Sequence, residues 1–599
     1  MQAIILAAGM GKRLGKLTKD NTKCMVKVNG TTLIERLLGQ IDGRKLSRIV
    51  IVTGYKGEEL KDYVSSLKVK TPVVFVDNPY YETTNNIYSL YLAKDYLSEE
   101  DTLLFESDLM VEDSIIDLLI KDERKTLVLV DKYESWMDGT CVRLGDDYTI
   151  DSFIPKKSFD YKESDKYYKT VNIYKFGKDF SKNSYIPFLE AYTKAFGKNE
   201  YYEEVLRAIA LVGDSEIRAE VLDGQLWYEI DDIQDLDIAS TLFASDLDEK
   251  LEMIQERYGG YWRYPKLIDF CYLVNPYYPP KRMTEEMKSN FETLLTQYPS
   301  GMAVNSLLAG KNFGVDSSNI VVGNGAAELI KSMMEGIDGK VGFIRPTFEE
   351  YINRYSKEES LYFVPDNPDF SYCADDLMRF FDGKVKTLVV VNPDNPTGNY
   401  IPLKDMLKLI EWTGKKGIRL IADESFVDFA DEKGSTLIRQ DILDANPHLY
   451  VIKSISKSYG VPGLRLGVLA SGDTKLIGSV KKDVSIWNIN SFAEFYLQIE
   501  SKYAGDYSKA MDAFRKERSR YVSELRKIKG LRVIPSQANY VMAEVLKGKA
   551  RELVKKLLVK YDIFIKDLTK KAGGEYVRLA VRNTEDNDKL LNALKKELS

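Results

Sequence analysis

The sequence is poor in the residues that most often announce metal or nucleophile chemistry. Among 599 residues there are four cysteines, Cys24, Cys141, Cys271 and Cys373, and a single histidine, His448. The cysteines are scattered with no C-x-x-C pair, which argues against a disulfide framework or a zinc site and points to a reducing, cytoplasmic compartment. A Ser-His-Asp or Cys-His mechanism would have to use His448, which stands before the apolar run "LYVIKS" and reads as a strand-edge residue. An excess of one charge is also lacking. Lys+Arg 85 against Asp+Glu 91 leave −6 without strong blocks, so there is no basic stripe for nucleic acid. No apolar run approaches the ~18 residues of a membrane span. At the N-terminus only Ala3 to Ala8 are continuously apolar and no cation precedes them, unlike a secretory signal.

What is present is alternation. A chain of this length exceeds one hydrophobic core and implies two or more domains. "QAIILAA" and "SRIVIVTGY" read as buried parallel strands, and Leu33, Ile34, Leu37, Leu38 and Ile41 between them recur at helical spacing. The opening is therefore a β-loop-α-β unit. The alternation runs to about residue 240, where "DLDEKLEMIQERYG" turns helical and charged before Gly259-Gly260. A second alternation follows, with strands ending in polar turns, the mark of a doubly wound sheet binding ligands at its strand ends. The expected domains are 1–240, a helical linker 241–258, and 259–599.

The first chemical signal is "ILAAGMGKRL". A glycine-rich turn after a buried strand can present backbone N–H groups to an anion, though by itself this text also fits a plain tight turn. It lacks both the G-K-[ST] ending of a Walker loop and the G-x-G-x-x-G spacing. "AIILAAGMGKRLGKLTKDNTKCMVKVNGTTLIE", with "VTGY", "TNNIYSLYLAK", "ESD" and "WYEIDDIQDL" further on, resembles the nucleotidyltransferases that make nucleoside-diphosphate sugars and CDP-alcohols. The phosphocholine cytidylyltransferase branch is the most similar. The likeness spans about 240 residues, with Thr22 where the family usually has proline before its lysine.

That resemblance implies that Leu6, Ala7, Ala8, Gly9 and Gly11 face the nucleotide, that Arg13 and Lys23 hold its phosphates, and that Asp108, Glu229 and Asp231 bind Mg²⁺. Hard carboxylates at strand ends suit that ion, although Asp108 also reads as a turn residue and "YEIDD" as a solvated charge run. Trp136 is implied as an acceptor contact, since an aromatic face can hold an ammonium; a core tryptophan is the alternative.

The second signal is "SISKSYGVPGLRLG", joined by "NPDNPTG", "IADESF", "GNGAAE" and "RPTFEEY" in that family's order. These resemble the fold-type I pyridoxal-phosphate enzymes, nearest the histidinol-phosphate aminotransferase and threonine-phosphate decarboxylase branch. The resemblance covers residues 259–599 and implies a large α/β domain and a small α+β domain. Lys457 would hold pyridoxal 5′-phosphate covalently and move the substrate proton. Ser454, Ser456, Arg465 and the backbone of Ala326 and Ala327 would bind its phosphate. Asn395 would meet its 3′-oxygen, Asp423 its ring nitrogen, and Phe348 would stack on the ring. Phe426 stands where the aminotransferases often have tyrosine. Arg578 would take the donor carboxylate and Arg582 a phosphorus-oxyanion tail. Tyr298 would reach a second subunit's cofactor, which implies a homodimer.

The fusion itself resembles phosphonate cytidylyltransferases joined to aminoethylphosphonate transaminases. It implies that phosphonoacetaldehyde and an amino donor give 2-aminoethylphosphonate, which CTP converts to its CMP conjugate and pyrophosphate. The alternative is a phosphocholine or phosphoethanolamine cytidylyltransferase fused to a phosphoamino-acid decarboxylase or aminotransferase. A CTP-sensing scaffold is disfavoured by the complete Lys23, Asp108 and Asp231 set.

Overall fold

Gln2–Ala7, buried at all six positions, is the hub of the first sheet in the computed structural model, which describes residues 1–212 and 217–598. Apolar side chains on both faces make it a central parallel strand. It pairs in parallel with Ile49–Thr53 on one side and Thr102–Glu106 on the other, and Val73–Asp77 extends the first side. Beyond Thr102–Glu106 the sheet turns antiparallel at Tyr168–Phe176, which in turn pairs Leu127–Lys132 and Cys141–Leu144. The register sets Leu6 opposite Glu106. The glycine turn and the Ser107-Asp108 turn therefore leave the sheet at the same edge.

The helix Leu33–Ile41 buries the five residues whose spacing predicts it, and the Thr32 side chain accepts its Glu35 N–H as a cap. The strand Trp227–Glu229 pairs antiparallel with Leu109–Val111, and the Ile230 N–H donates to the Asp108 carbonyl at 3.0 Å. That pairing carries Glu229 and Asp231 across the sequence to Asp108.

The chain divides into Met1–Arg263 and Tyr264–Ser599. The segment expected as a linker packs within the first of these. Its helix Leu247–Glu256 buries Leu251 and Ile254, and Arg257 holds Asp237 and Thr241 of the preceding helix.

The second unit holds a seven-stranded sheet in the order Ile320–Asn324, Leu466–Ser471, Leu449–Ser454, Arg419–Asp423, Thr387–Val391, Val341–Ile344, Ser360–Phe363. The first two pairings are antiparallel and the others parallel. A separate four-stranded antiparallel sheet is built from Leu531–Val533, Tyr540–Val545, Tyr576–Ala580 and Lys566–Asp567. No helix among the described residues is long and apolar enough to cross a membrane.

Candidate active sites

In the first unit a cleft of about 1000 Å³ opens at the carboxyl edge of the sheet. Leu6, Ala8, Gly9 and Gly11 line one wall, and Gly11 adopts φ +60°, the left-handed region open to glycine. Asp108, Glu229 and Asp231 line its floor, one oxygen from each lying within 4.8 Å of the others. Lys23 sits among them, donating to Asp108 and, at 2.8 Å, to Asp231. Arg13 reaches the same Asp231 oxygen at 2.6 Å. Burial works against the Lys23 ammonium, but Asp108 and Asp231 prevail and hold its pKa above the ordinary value. Burial pushes the Glu229 carboxyl up to about 7 against the pull of Lys169, whose Nζ lies 3.4 Å away.

These residues fit a hard divalent cation. The Asp108 Oδ1 is buried without a hydrogen-bond partner, and three carboxylate oxygens at this separation come close to the span that one Mg²⁺ can bridge, about 4 Å.

The second site is built on the turn after Leu449–Ser454, where the short helix Ile455–Ser458 carries Lys457 inward. Burial, with Arg578 and Arg465 nearby, lowers the Lys457 amine to about 8. Asp423 ends the neighbouring strand and accepts the Tyr351 hydroxyl at 2.8 Å and the Ser425 N–H at 2.9 Å. Arg578 donates to Asn395 at 2.6 Å and to the Cys271 carbonyl at 2.8 Å, while its Nε is buried and unpartnered.

Ala326 and Ala327 open a ten-residue helix whose first N–H groups have no intrahelical acceptor. A Cβ on Gly467 would stand 2.4 Å from the Ala326 nitrogen, and one on Gly325 2.6 Å from an Arg465 nitrogen. Glycines thus let strand, helix start and guanidinium converge. With the Ser456 hydroxyl buried and unpartnered, the cradle fits a phosphate, and Lys457, Asp423 and Asn395 fit a pyridine aldehyde.

Ala7, 2% exposed, and Trp136 are absent from the cleft lining, and Arg582 has partners of its own. Trp136 stacks on Tyr228 at 4.3 Å and gives its indole N–H to Glu134 at 2.7 Å. Arg582 is held by Asp586 at 2.9 Å and the Asp269 carbonyl at 2.8 Å. Tyr298, expected to reach a second subunit, stacks on Trp487 at 4.5 Å and is 79% exposed. Phe348 sits half-buried edge-on to Tyr351, Phe426 is buried edge-on to Tyr540, and Ser454 is buried at the strand end. His448 lies 3.0 Å from the Ile410 carbonyl, in neither constellation.

Two residues were not visible in the sequence. Lys571 is lowered to about 8 by burial, with Glu349, Arg578 and Asp394 in electrostatic reach. Glu203 lines the cleft of the first unit as a buried carboxylate.

Residues 3–137 match the MobA-like NTP transferase domain and residues 275–594 the class I and II aminotransferases. A CMP-5′-(3-aminopropyl)phosphonate synthase of Streptomyces rubellomurinus is 30% identical over 99% of this chain and 94% of its own. An L-serine phosphate decarboxylase of Sulfurospirillum multivorans is 33% identical over 55% of this chain and 87% of its own. Among solved structures, a decarboxylase from Sulfurospirillum multivorans has a TM-score of 0.52 at 32% identity, over 57% of this chain and 91% of that one. A histidinol-phosphate aminotransferase from Clostridium acetobutylicum has 0.50 at 25% identity, over 55% and 99%. The chain is a fused enzyme, belonging to the class I and II aminotransferases, whose cofactor is pyridoxal phosphate, behind a nucleotidyltransferase domain.

Proposed function

We propose that the second unit transfers the amino group of an amino-acid donor to phosphonoacetaldehyde, giving the donor's oxo acid and 2-aminoethylphosphonate, and that the first couples this product to the CMP moiety of CTP with release of pyrophosphate. The observation that carries the reading is the cleft of the first unit, where the cations Arg13 and Lys23, the close carboxylates Asp108, Glu229 and Asp231, and the further carboxylates Glu106 and Glu203 line one space. A zwitterion with a phosphorus oxyanion at one end and an ammonium at the other needs that combination. The full-length likeness to a protein named for a CMP-aminoalkylphosphonate supports it.

In the first unit the glycine turn and Arg13 and Lys23 would hold the triphosphate of CTP, and Asp108, Glu229 and Asp231 would hold Mg²⁺. The ion supplies neutralisation of the charge that develops between attacking and leaving oxygens. One oxygen of the acceptor's phosphonate bonds to the α-phosphorus while the bond to the β-phosphate oxygen breaks, releasing pyrophosphate. Lys23 and Arg13, which here neutralise the carboxylates, would be free to hold the phosphates if a divalent cation neutralised those carboxylates instead.

In the second unit pyridoxal phosphate supplies an electron sink. Lys457 takes the proton from the substrate carbon and returns it. Asp423 keeps the ring nitrogen protonated, Asn395 fixes the 3′-oxygen, and Arg578 with Lys571 receives the substrate's oxyanion. A second copy of the chain would cover the exposed Tyr298–Trp487 surface and bring Tyr298 to a neighbouring cofactor.

A second reading has its own support. The likeness to an L-serine phosphate decarboxylase and the missing hydroxyl at Phe426 favour loss of CO₂ from an amino acid bearing a phosphorus oxyanion, followed by the same cytidylyl transfer. Assays of the second unit with phosphonoacetaldehyde plus alanine, and separately with phosphoserine, distinguish the two: amine formation without CO₂ supports transamination.

A further inference from the structure

Glu203 stands in the first turn of helix Glu203–Val212 and lines the cleft of the first unit, yet only 7% of it is exposed. Its Oε2 is buried with no hydrogen-bond partner. A buried carboxylate oxygen without a donor is unfavourable, and such a group in a ligand cleft is completed by the ligand. Burial pushes its carboxyl up to about 7.

A second carboxylate is tied to the same place. The Asn86 Oδ1 accepts the Tyr202 N–H at 3.1 Å, and its Nδ2 donates to Glu106 at 3.0 Å. One asparagine therefore fixes the start of the Glu203 helix against the end of strand Thr102–Glu106. Glu203 and Glu106 lie within electrostatic reach of each other, and neither forms an ion pair among the described residues. Lys169, whose charge reaches Glu203, is already held by the Thr170 carbonyl at 2.6 Å and by Glu229 at 3.4 Å. Arg13 and Lys23 serve Asp231 and Asp108. Two carboxylates at the edge of a water-accessible cleft thus lack a cation.

We propose that Glu203 and Glu106 bind the acceptor's primary ammonium and select aminoalkyl oxyanions over their trimethylammonium counterparts. This rests on the reading of the first unit as a nucleotidyltransferase for a zwitterionic acceptor. The selection follows from donor count. A primary ammonium has three N–H donors for the unpaired oxygens, whereas a trimethylammonium has none and would leave them desolvated. Trp136 lies outside the cleft lining, with one face of its ring covered by Tyr228.

The test follows pyrophosphate release by the full chain with CTP and Mg²⁺, using 2-aminoethylphosphonate, its N,N,N-trimethyl derivative and ethylphosphonate. The wild type should prefer the primary amine to both others by about 10²-fold or more. Glu203→Gln should lower kcat/KM for the amine by about 10²-fold, mainly through KM, with the ethylphosphonate rate and the KM for CTP unchanged. Glu106→Gln should act in the same direction. The ratio of amine to ethylphosphonate within one variant cancels any loss of folded enzyme. A Glu203→Gln ratio equal to the wild-type ratio, or a wild-type preference for the trimethyl derivative, overturns this assignment alone. Pyrophosphate release with none of the three overturns the reading of the reaction and this assignment with it.

Discussion

Lys23 and Asp231, separated by 208 positions in the sequence, meet at 2.8 Å on the floor of the cleft of the first unit. Together with the Lys23–Asp108 and Lys169–Glu229 pairs, it explains how three carboxylates stay together. Like charges this close repel, and a buried ammonium between Asp108 and Asp231 offsets that repulsion.

Asp108 should therefore be indispensable to the first reaction and irrelevant to the second. Asp108→Asn is expected to lower pyrophosphate release by about 10²–10³-fold or more, because the charge it helps neutralise develops in the transition state. Amino transfer should proceed at the wild-type rate. EDTA should have the same split effect, and full cytidylyl transfer in its presence would contradict the metal site.

Lys457→Ala should show the opposite pattern. Amino transfer and the protein's visible absorbance should be lost while pyrophosphate release from CTP persists. The wild-type lysine should also betray its environment in its pH dependence. Burial beside Arg578 and Arg465 lowers the amine to about 8, so it is protonated and unreactive below that pH and free above it. The rate at which apoprotein takes up pyridoxal phosphate should rise with pH and level off near 8, whereas an ordinary lysine would keep gaining to about 10.4. Stopped-flow absorbance across pH 6–10 reads this directly.

The close approach of strand Leu466–Ser471 to the helix start at Ala326 depends on a glycine. A Cβ at position 467 would stand 2.4 Å from the Ala326 nitrogen, and that contact is backbone, which cannot swing aside. Gly467→Ala should displace the helix start, destabilise the second unit by about 1–3 kcal/mol and weaken cofactor retention. Unchanged melting and full cofactor occupancy would refute the close approach.

Trp136 should behave as a packing residue. Its ring lies on Tyr228 at 4.3 Å and beside Trp227 at 5.3 Å. Trp136→Ala should destabilise the first unit by about 2 kcal/mol, less than a fully buried tryptophan, and leave the preference between primary and quaternary amines unaltered. Thermal unfolding and the acceptor panel check the two halves of this expectation.

What the sequence discloses and what it hides divides along locality. The strands around Gln2–Ala7 and Leu449–Ser454 are legible because each is a continuous apolar run, and Lys457 is legible because its glycines, serines and arginine sit within one short stretch. Glu203 is not. It follows two tyrosines in a charged, polar text, and its burial arises from a distant docking in which the Asn85 N–H meets the Lys198 carbonyl at 3.0 Å. Lys571 hides likewise in a Lys-Lys pair that reads as surface charge, although the short helix Thr569–Ala572 brings it within electrostatic reach of Arg578 and Asp394. The packing of Trp136 is hidden for the same reason, since its stacking partner Tyr228 is supplied by a strand from the far end of the domain.

The most direct measurement is ³¹P NMR of the full chain incubated with phosphonoacetaldehyde, an amino donor, CTP and Mg²⁺. The account predicts that the aldehyde's phosphonate resonance gives way to that of 2-aminoethylphosphonate and then to its CMP conjugate, with pyrophosphate appearing in equal amount to the conjugate. Inertness toward phosphonoacetaldehyde, together with CO₂ release from phosphoserine and formation of CDP-ethanolamine, would contradict it.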